Sequence, residues 1–415
     1  MGKKELKSSV SSILIATFSP RKNNVRASTN GMIGPLLFYF LPRVKNLTLI
    51  DQPYPGSDII VPRVEKYQNK RLVSLTKANF FAFFLMPLLI LQNKPGTRVF
   101  FKVRDFLSVL EVGLKSLKTF DLFIGLESIN TLAGIILRKL GRVKKVSYYV
   151  SDYSPIRYSP KIFNDLYLWL DRFCAMHADF IWDVSPAIQE ARLKVGLDVK
   201  KSAPVIPIPN ALYKEQINSV DVKKRYLHSA VFVGTLGLDN GPDIAVKAFK
   251  HVVKKIPSAK FHIIGGGGEG FEEKYLKGLV KRYNLSKNVL FYGFVQDQKK
   301  LSNIIMHFQI ALAPYKMNPR SIRLYGDATK IRLYLAAGLP VITTNVPPLG
   351  RLVAKKGAAI IVEDNEKALA NAIIDIFKDS KKRFSITKNA IAFAKNNTWE
   401  NTYSTALKLM KLSLD

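Results

Sequence analysis

The chain has 415 residues, 47% hydrophobic and 23% charged, so it is globular and long enough for two ordinary domains. Lys and Arg total 64 against 31 Asp and Glu, a formal net charge of +33, which favours nucleic acid, anionic lipid or phosphorylated substrates as partners. Zinc-finger spacing, an RNP-like aromatic motif and a basic region with heptads are missing, so no nucleic-acid partner is expected and an anionic membrane surface fits better.

The lysines at the start precede residues 8–16, which read as a first strand rather than a signal peptide. Its apolar part, 12–18 (SILIATF), runs into Ser19-Pro20. Residues 47–50 are a second strand candidate, and 51–62 form a proline-rich loop. Residues 78–92, ANFFAFFLMPLLILQ, are apolar on every side and broken by Pro87. They are short of the roughly 20 residues that span a bilayer. A buried core helix accounts for them. So does an in-plane membrane helix, given the basic flanks Lys70, Arg71, Lys77 and Lys94.

Residues 97–102, 122–125 and 145–150 are strand candidates, and 129–140 and 163–176 are helices. The second helix holds Cys174, the single cysteine, a buried structural thiol that excludes an intramolecular disulfide and suits a reducing cytoplasm. The expected location is cytoplasmic, peripheral at the inner membrane face. Alternating strands and helices imply a parallel sheet covered on both faces, with ligands at the carboxyl ends of its strands. The polar, aromatic segment 151–158 after Val150 is therefore a cleft candidate. A strand at 178–184 precedes Ser185-Pro186, a helix N-cap and N1 pair, and 205–210 is a last strand before the domain boundary.

A fresh series of βα units follows. Strands at 230–233, 260–264, 288–292 and 310–313 run into Gly234-Thr235-Leu236-Gly237, Gly265 to Gly268, Gly293-Phe294-Val295 and Pro314-Tyr315. Helices occupy 242–251 and 272–283. A second Rossmann-like domain is the reading.

Residues 325–344, YGDATKIRLYLAAGLPVITT, then give a turn, a short helix stopped by Gly338 and Pro340, and a buried strand at 341–344. Gly326 and Asp327 supply the turn and the helix N-cap. Lys330 falls in the first helical turn, where the macrodipole disfavours a cation. The placement suits an anion held by the helix N-terminus; a solvated surface lysine is the other reading.

This stretch resembles the donor-site motif of GT-B glycosyltransferases, especially glycosyltransferase family 4, through Lys330, Tyr334, Ala336, Ala337, Gly338, Pro340, Val341 and Ile342. The resemblance implies an α/β GT-B fold, two Rossmann-like domains facing each other across a cleft. Residues 1–212 would bind the acceptor and 213–396 the nucleotide-sugar, with a C-terminal helix, 397–415, crossing back near Thr398-Trp399-Glu400 and running to Leu414. The implied reaction moves a sugar from a nucleotide donor to an acceptor hydroxyl on a glycan or lipid-linked saccharide. It proceeds with retention and without a metal; no cofactor is called for.

The resemblance assigns the donor to Gly234, Thr235, Gly265, Gly266, Gly293, Phe294, Val295, Tyr315, Arg323, Asp327, Ala328, Thr329 and Lys330. Asp152 would orient acceptor or sugar hydroxyls, unless it only forms an Asx turn into Pro155. Asp152 and Lys330 are the catalytic candidates; Asn30, Gly31 and Arg157 are the acceptor-binding ones. The chain departs from the family in three places: Thr235 and Asn240 replace an arginine and a lysine, and Leu333 replaces a glutamate. Each lost charge-assisted phosphate contact is worth about 1.5–3 kcal/mol. Arg320, Arg323 and Lys330 are the cations left to substitute, and Asp327 is the acid nearest the vacant ribose contact. Rival readings are a GT-B nucleotide-sugar epimerase, a non-catalytic nucleotide-sugar or membrane-binding scaffold, and a nucleic-acid-binding module.

Overall fold

The apolar runs of the sequence become the central strands of two sheets, each in its own compact unit. The computed structural model describes residues 8–22, 25–26, 32–54, 57–78, 98–266 and 270–414. One unit comprises residues 1–184, 188–208 and 403–415; the other comprises 185–187 and 209–402.

The first unit contains β1 (Ser8–Val10), β2 (Ser12–Ser19), β3 (Arg21–Lys22), β4 (Val25–Arg26), β5 (Asn46–Pro53), β6 (Arg63–Gln68) and β7 (Arg71–Lys77). It continues with β8 (Phe120–Leu126), β9 (Val143–Val150), β10 (Phe180–Asp183) and β11 (Val205–Pro207). Its main sheet has the order β11-β10-β9-β8-β2-β5-β6-β7. Strands β11 to β5 are parallel, and consecutive burial of Ile13, Leu14 and Ile15 follows because helices cover both faces. The chain moves from β2 to β5 on one side and later to β8 on the other. The switch point therefore lies between β2 and β8, at the carboxyl ends where such sheets bind ligands.

Two expectations for this unit need correction. Of the strand expected at 97–102, residues 98–102 are helical instead, the start of the helix Arg98–Lys115. Over its longer run Phe101, Arg104, Asp105, Ser108 and Val109 are buried at helical spacing. The Arg104 guanidinium donates to the carbonyls of Ile60 and Pro53, both at 2.8 Å. The loop at 51–62 is also shorter than expected: β5 runs to Pro53, and an antiparallel hairpin, β6–β7, extends the sheet. Its turn places Asn69 and Lys70 at φ 47° and 69°, the mirror-image turn that matches strand twist.

Deep in this unit Arg192 is fully buried between two carboxylates, Asp171 at 2.9 Å and Asp183 at 2.7 Å. The Cys174 thiol is buried too and donates to the Ser128 carbonyl. The C-terminal helix Trp399–Leu409 does not reach Leu414. Lys411, at φ 55°, ends it, and β18 (Leu412–Leu414) pairs in parallel with β1.

The second unit contains β12 (Ser229–Val233), β13 (Lys260–Ile264), β14 (Val289–Gly293), β15 (Ile310–Ala313), β16 (Val341–Thr344) and β17 (Ala359–Val362). All are parallel, in the order β14-β13-β12-β15-β16-β17, the doubly wound arrangement of a Rossmann sheet. The chain builds outward from β12 in one direction, then from β15 in the other. The switch point is between them. Among the described residues no helix is long and apolar enough to cross a membrane. Residues 79–92 of the apolar run lie outside the described residues.

Candidate donor and acceptor sites

The switch point of the second unit is occupied by Lys330. It is the second residue of the helix Thr329–Ala336, whose N-cap position, Ala328, provides no side-chain cap. Its Nζ lies 4.2 Å from the centre of the Phe232 ring on β12 and 4.9 Å from that of Tyr315, just beyond β15. The atom is buried and has no hydrogen-bond partner among the described residues. The solvated-lysine alternative does not hold. Burial, and secondarily the Arg323 charge, push this amine well below the ordinary lysine range.

The backbone around it is shaped by glycines. Gly234 has φ 130°, and a Cβ there would sit 3.3 Å from Lys330 Cε. A Cβ on Gly265 would lie 1.8 Å from the Gly234 carbonyl oxygen, so only glycine fits. The Gly234 N–H donates to Ile264 and that of Gly265 to Gly293, which lines up the carboxyl ends of β12, β13 and β14. Tyr334 ties the helix to the sheet: its hydroxyl accepts from Val233 N at 2.6 Å and donates to the Leu312 carbonyl.

Asp327 is not the helix N-cap. Both carboxylate oxygens go to Arg332, at 2.9 and 2.5 Å, and its carbonyl accepts from Asn210. A nearby arginine captures the side chain before it can reach the helix amides. Thr235 and Asn240 form a neutral pair, Asn240 Nδ2 donating to the Thr235 hydroxyl at 2.8 Å and to its carbonyl at 3.1 Å. The expected positions thus gather unequally. Gly234, Gly265, Tyr315, Ala328 and Lys330 converge; Phe294 and Thr329 are exposed, and Gly266 lies against Phe294. Arg323, on the turn Ile322–Leu324, is half-buried and close enough to act on Lys330.

In the first unit Arg157 donates to the Asp152 carbonyl at 2.6 Å, so the two expected residues do meet. Asn30 and Gly31 lie outside the described residues. The sequence reading passed over Glu127. It follows β8 directly, at the switch-point edge of the sheet, and opens the helix Glu127–Lys139 in a left-handed conformation, φ 63°. Left-handed backbone in a glutamate is strained, and such strain gathers at functional sites. Its Oε1 accepts from Ser151 Oγ at 2.9 Å and Ser151 N at 3.3 Å. Burial raises the carboxyl above its usual range, with Arg157 opposing and Asp152 adding to the rise. The available signal was position: an acid immediately after a buried strand.

Residues 215–393 match the model of the family described as glycosyl transferases group 1. Poly(glycerol-phosphate) alpha-glucosyltransferase of Bacillus subtilis (strain 168) is 28% identical over 176 residues, 42% of this chain and 24% of that protein. The chain spans less than half the length of the curated relatives it matches. Sucrose-phosphate synthase from Thermosynechococcus elongatus superposes with TM-score 0.68 at 17% identity, covering 96% of this chain and 97% of that one. HepE of Anabaena, solved in complex with UDP-glucose, superposes with TM-score 0.64 at 15% identity over 97% of this chain and 100% of its own. At these identities the structural likeness speaks to the fold. Residues 215–393 are thus similar to the glycosyl transferases group 1, and the chain has the GT-B fold of two Rossmann-like units.

Proposed function

We propose that this protein transfers a sugar from a nucleotide-sugar to an acceptor hydroxyl, with retention at the anomeric carbon and no metal requirement. Lys330 carries the reading: a buried amine without a hydrogen-bond partner among the described residues, at the switch point of a Rossmann sheet, beside an uncapped helix N-terminus. A nucleotide diphosphate supplies the missing counter-charge. On binding, it raises the depressed amine back toward its ammonium form. The ammonium and the amides at the start of Thr329–Ala336 then stabilise the charge that grows on the departing diphosphate. Thr235 and Asn240 add no charge, so Lys330 and Arg323 share the neutralisation. In the first unit Glu127, Asp152 and Arg157 hold the acceptor, a glycan or lipid-linked saccharide, at an anionic membrane surface.

A thermal-shift screen against UDP-, GDP- and ADP-sugars tests the donor. A ligand at about 100 times its Kd stabilises by roughly 2.7 kcal/mol. One nucleotide class should shift the protein, and Lys330→Ala should abolish the shift. No shift with any class sinks the transferase reading and favours the scaffold, to which the neutral Thr235–Asn240 pair already points. Turnover with EDTA present, and the anomeric configuration of the product by NMR, test the remaining clauses.

A further inference from the structure

We infer that the helix Lys161–His177 docks the first unit onto an anionic lipid bilayer and so presents the Glu127–Asp152–Arg157 cluster to an acceptor anchored there. Ile162, Phe163, Leu166 and Trp169 are 72%, 50%, 58% and 53% exposed. Their spacing puts them on one side of the helix. Toward its C-terminal end the helix packs inward through Leu170, Asp171, Cys174 and Ala175. Trp169 stacks on Phe173 at 5.6 Å, and Phe173 on His177 at 4.1 Å, so an aromatic strip extends along the helix. A contiguous exposed apolar face of this kind marks an interaction surface rather than ordinary scatter.

The strip is joined to the polar cluster. Asn164, on the same helix, accepts from the N–H groups of Arg157 and Tyr158 at 2.7 and 3.0 Å and donates to the Pro155 carbonyl at 2.8 Å. The loop bearing Asp152 and Arg157 is thereby pinned to the helix that carries the apolar face, and Ile156 and Tyr158 are exposed beside it. Charge selects the occupant. The exposed acid of the helix, Asp165, is paired with Lys161 at 2.6 Å, and the chain as a whole carries +33. A second copy would bring the same positive field, whereas an anionic bilayer complements it. An amphipathic helix lying in the interface needs no membrane span.

The acceptor clause rests on the transferase reading; the docking itself does not, and the test separates them. Trp169 is the exposed tryptophan, while Trp182 and Trp399 are 0% and 5% exposed, so intrinsic fluorescence reports on this face. The full chain is mixed with vesicles of phosphatidylcholine and phosphatidylglycerol, or of phosphatidylcholine alone. With the anionic vesicles, the emission should move to the blue and be quenched by brominated lipid. Trp169→Phe should remove that signal while the protein still sediments with the vesicles. The double variant Phe163→Ser, Leu166→Ser should lose about tenfold or more in partitioning. The nucleotide-sugar thermal shift should persist in it, which shows that it folds. Unchanged Trp169 emission, equal binding to neutral vesicles, or partitioning indifferent to the double substitution each overturns the inference. Docking without any nucleotide-sugar shift in the wild type would leave it standing and remove the transferase reading instead.

Discussion

Arg332 holds both carboxylate oxygens of Asp327, through Nε at 2.9 Å and Nη2 at 2.5 Å, with the two side chains 4% and 3% exposed. This fork removes the acid nearest to Lys330 in the chain from competition for its amine. It also braces the loop before the helix Thr329–Ala336. Arg332→Met would leave a buried carboxylate unpaired, at a cost of about 3–5 kcal/mol. Urea denaturation should show that loss, and the double variant Arg332→Met, Asp327→Leu should recover much of it. Equal stability of Arg332→Met and wild type would show that the fork is not needed.

Lys330 makes a pH-dependent contribution of opposite sign to an ordinary ion pair. Its folded pKa is depressed, so the unfolded chain holds the extra proton between that value and the ordinary lysine range. Stability contributed at this site is therefore lost as pH falls from about 10. Lys330→Met should be more stable than wild type at neutral pH, with the gap closing toward pH 10, while donor binding disappears. A variant less stable than wild type at neutral pH would refute the assignment.

Nucleotide binding should be accompanied by proton uptake, because the arriving anion raises the Lys330 amine. Titration calorimetry in two buffers of different ionisation enthalpy reads this directly. Lys330→Arg, already charged, should bind without proton uptake. An apparent enthalpy independent of buffer in the wild type would mean that the amine is charged before the ligand arrives.

Glu127 behaves in the converse way. Its carboxyl is raised by burial, so the folded state keeps the proton longer. The stability it contributes is fully present below the ordinary carboxyl range, about pH 4.3, and is lost as pH rises through the raised value. Glu127→Gln should gain on wild type between pH 4 and 7, as followed by denaturation at a series of pH values. A constant difference across that range would show that the carboxyl does not titrate there.

Gly265→Ala would force a methyl group to within 1.8 Å of a backbone oxygen, that of Gly234, with no flexible side chain to yield. Overpacking of this kind costs about 1–3 kcal/mol or more. The nucleotide-sugar thermal shift should vanish with it, because the ends of β12 and β13 must part. Retention of that shift would place the donor away from these strand ends.

Sequence alone was sufficient for five of the six strands of the second sheet. Four of these short apolar runs stop at glycine or proline, and the boundaries at 260–264, 310–313 and 341–344 match the strands residue for residue, whereas β17 went unread. The sequence also marked Lys330 as a cation misplaced in a first helical turn. Periodicity describes a residue's neighbours along the chain, and those signals are local. The tertiary structure decided everything that depends on distant partners. Residues 98–102 read as strand until the burial of Phe101 and Ser108 and the contact of Arg104 with Pro53 made them a helix. Asp327 read as a cap until Arg332 claimed it. Glu127 carried no motif, only its position after a buried strand. Its meaning comes from the crossover that brings the ends of β2 and β8 together, and from the strained backbone that only the folded chain imposes.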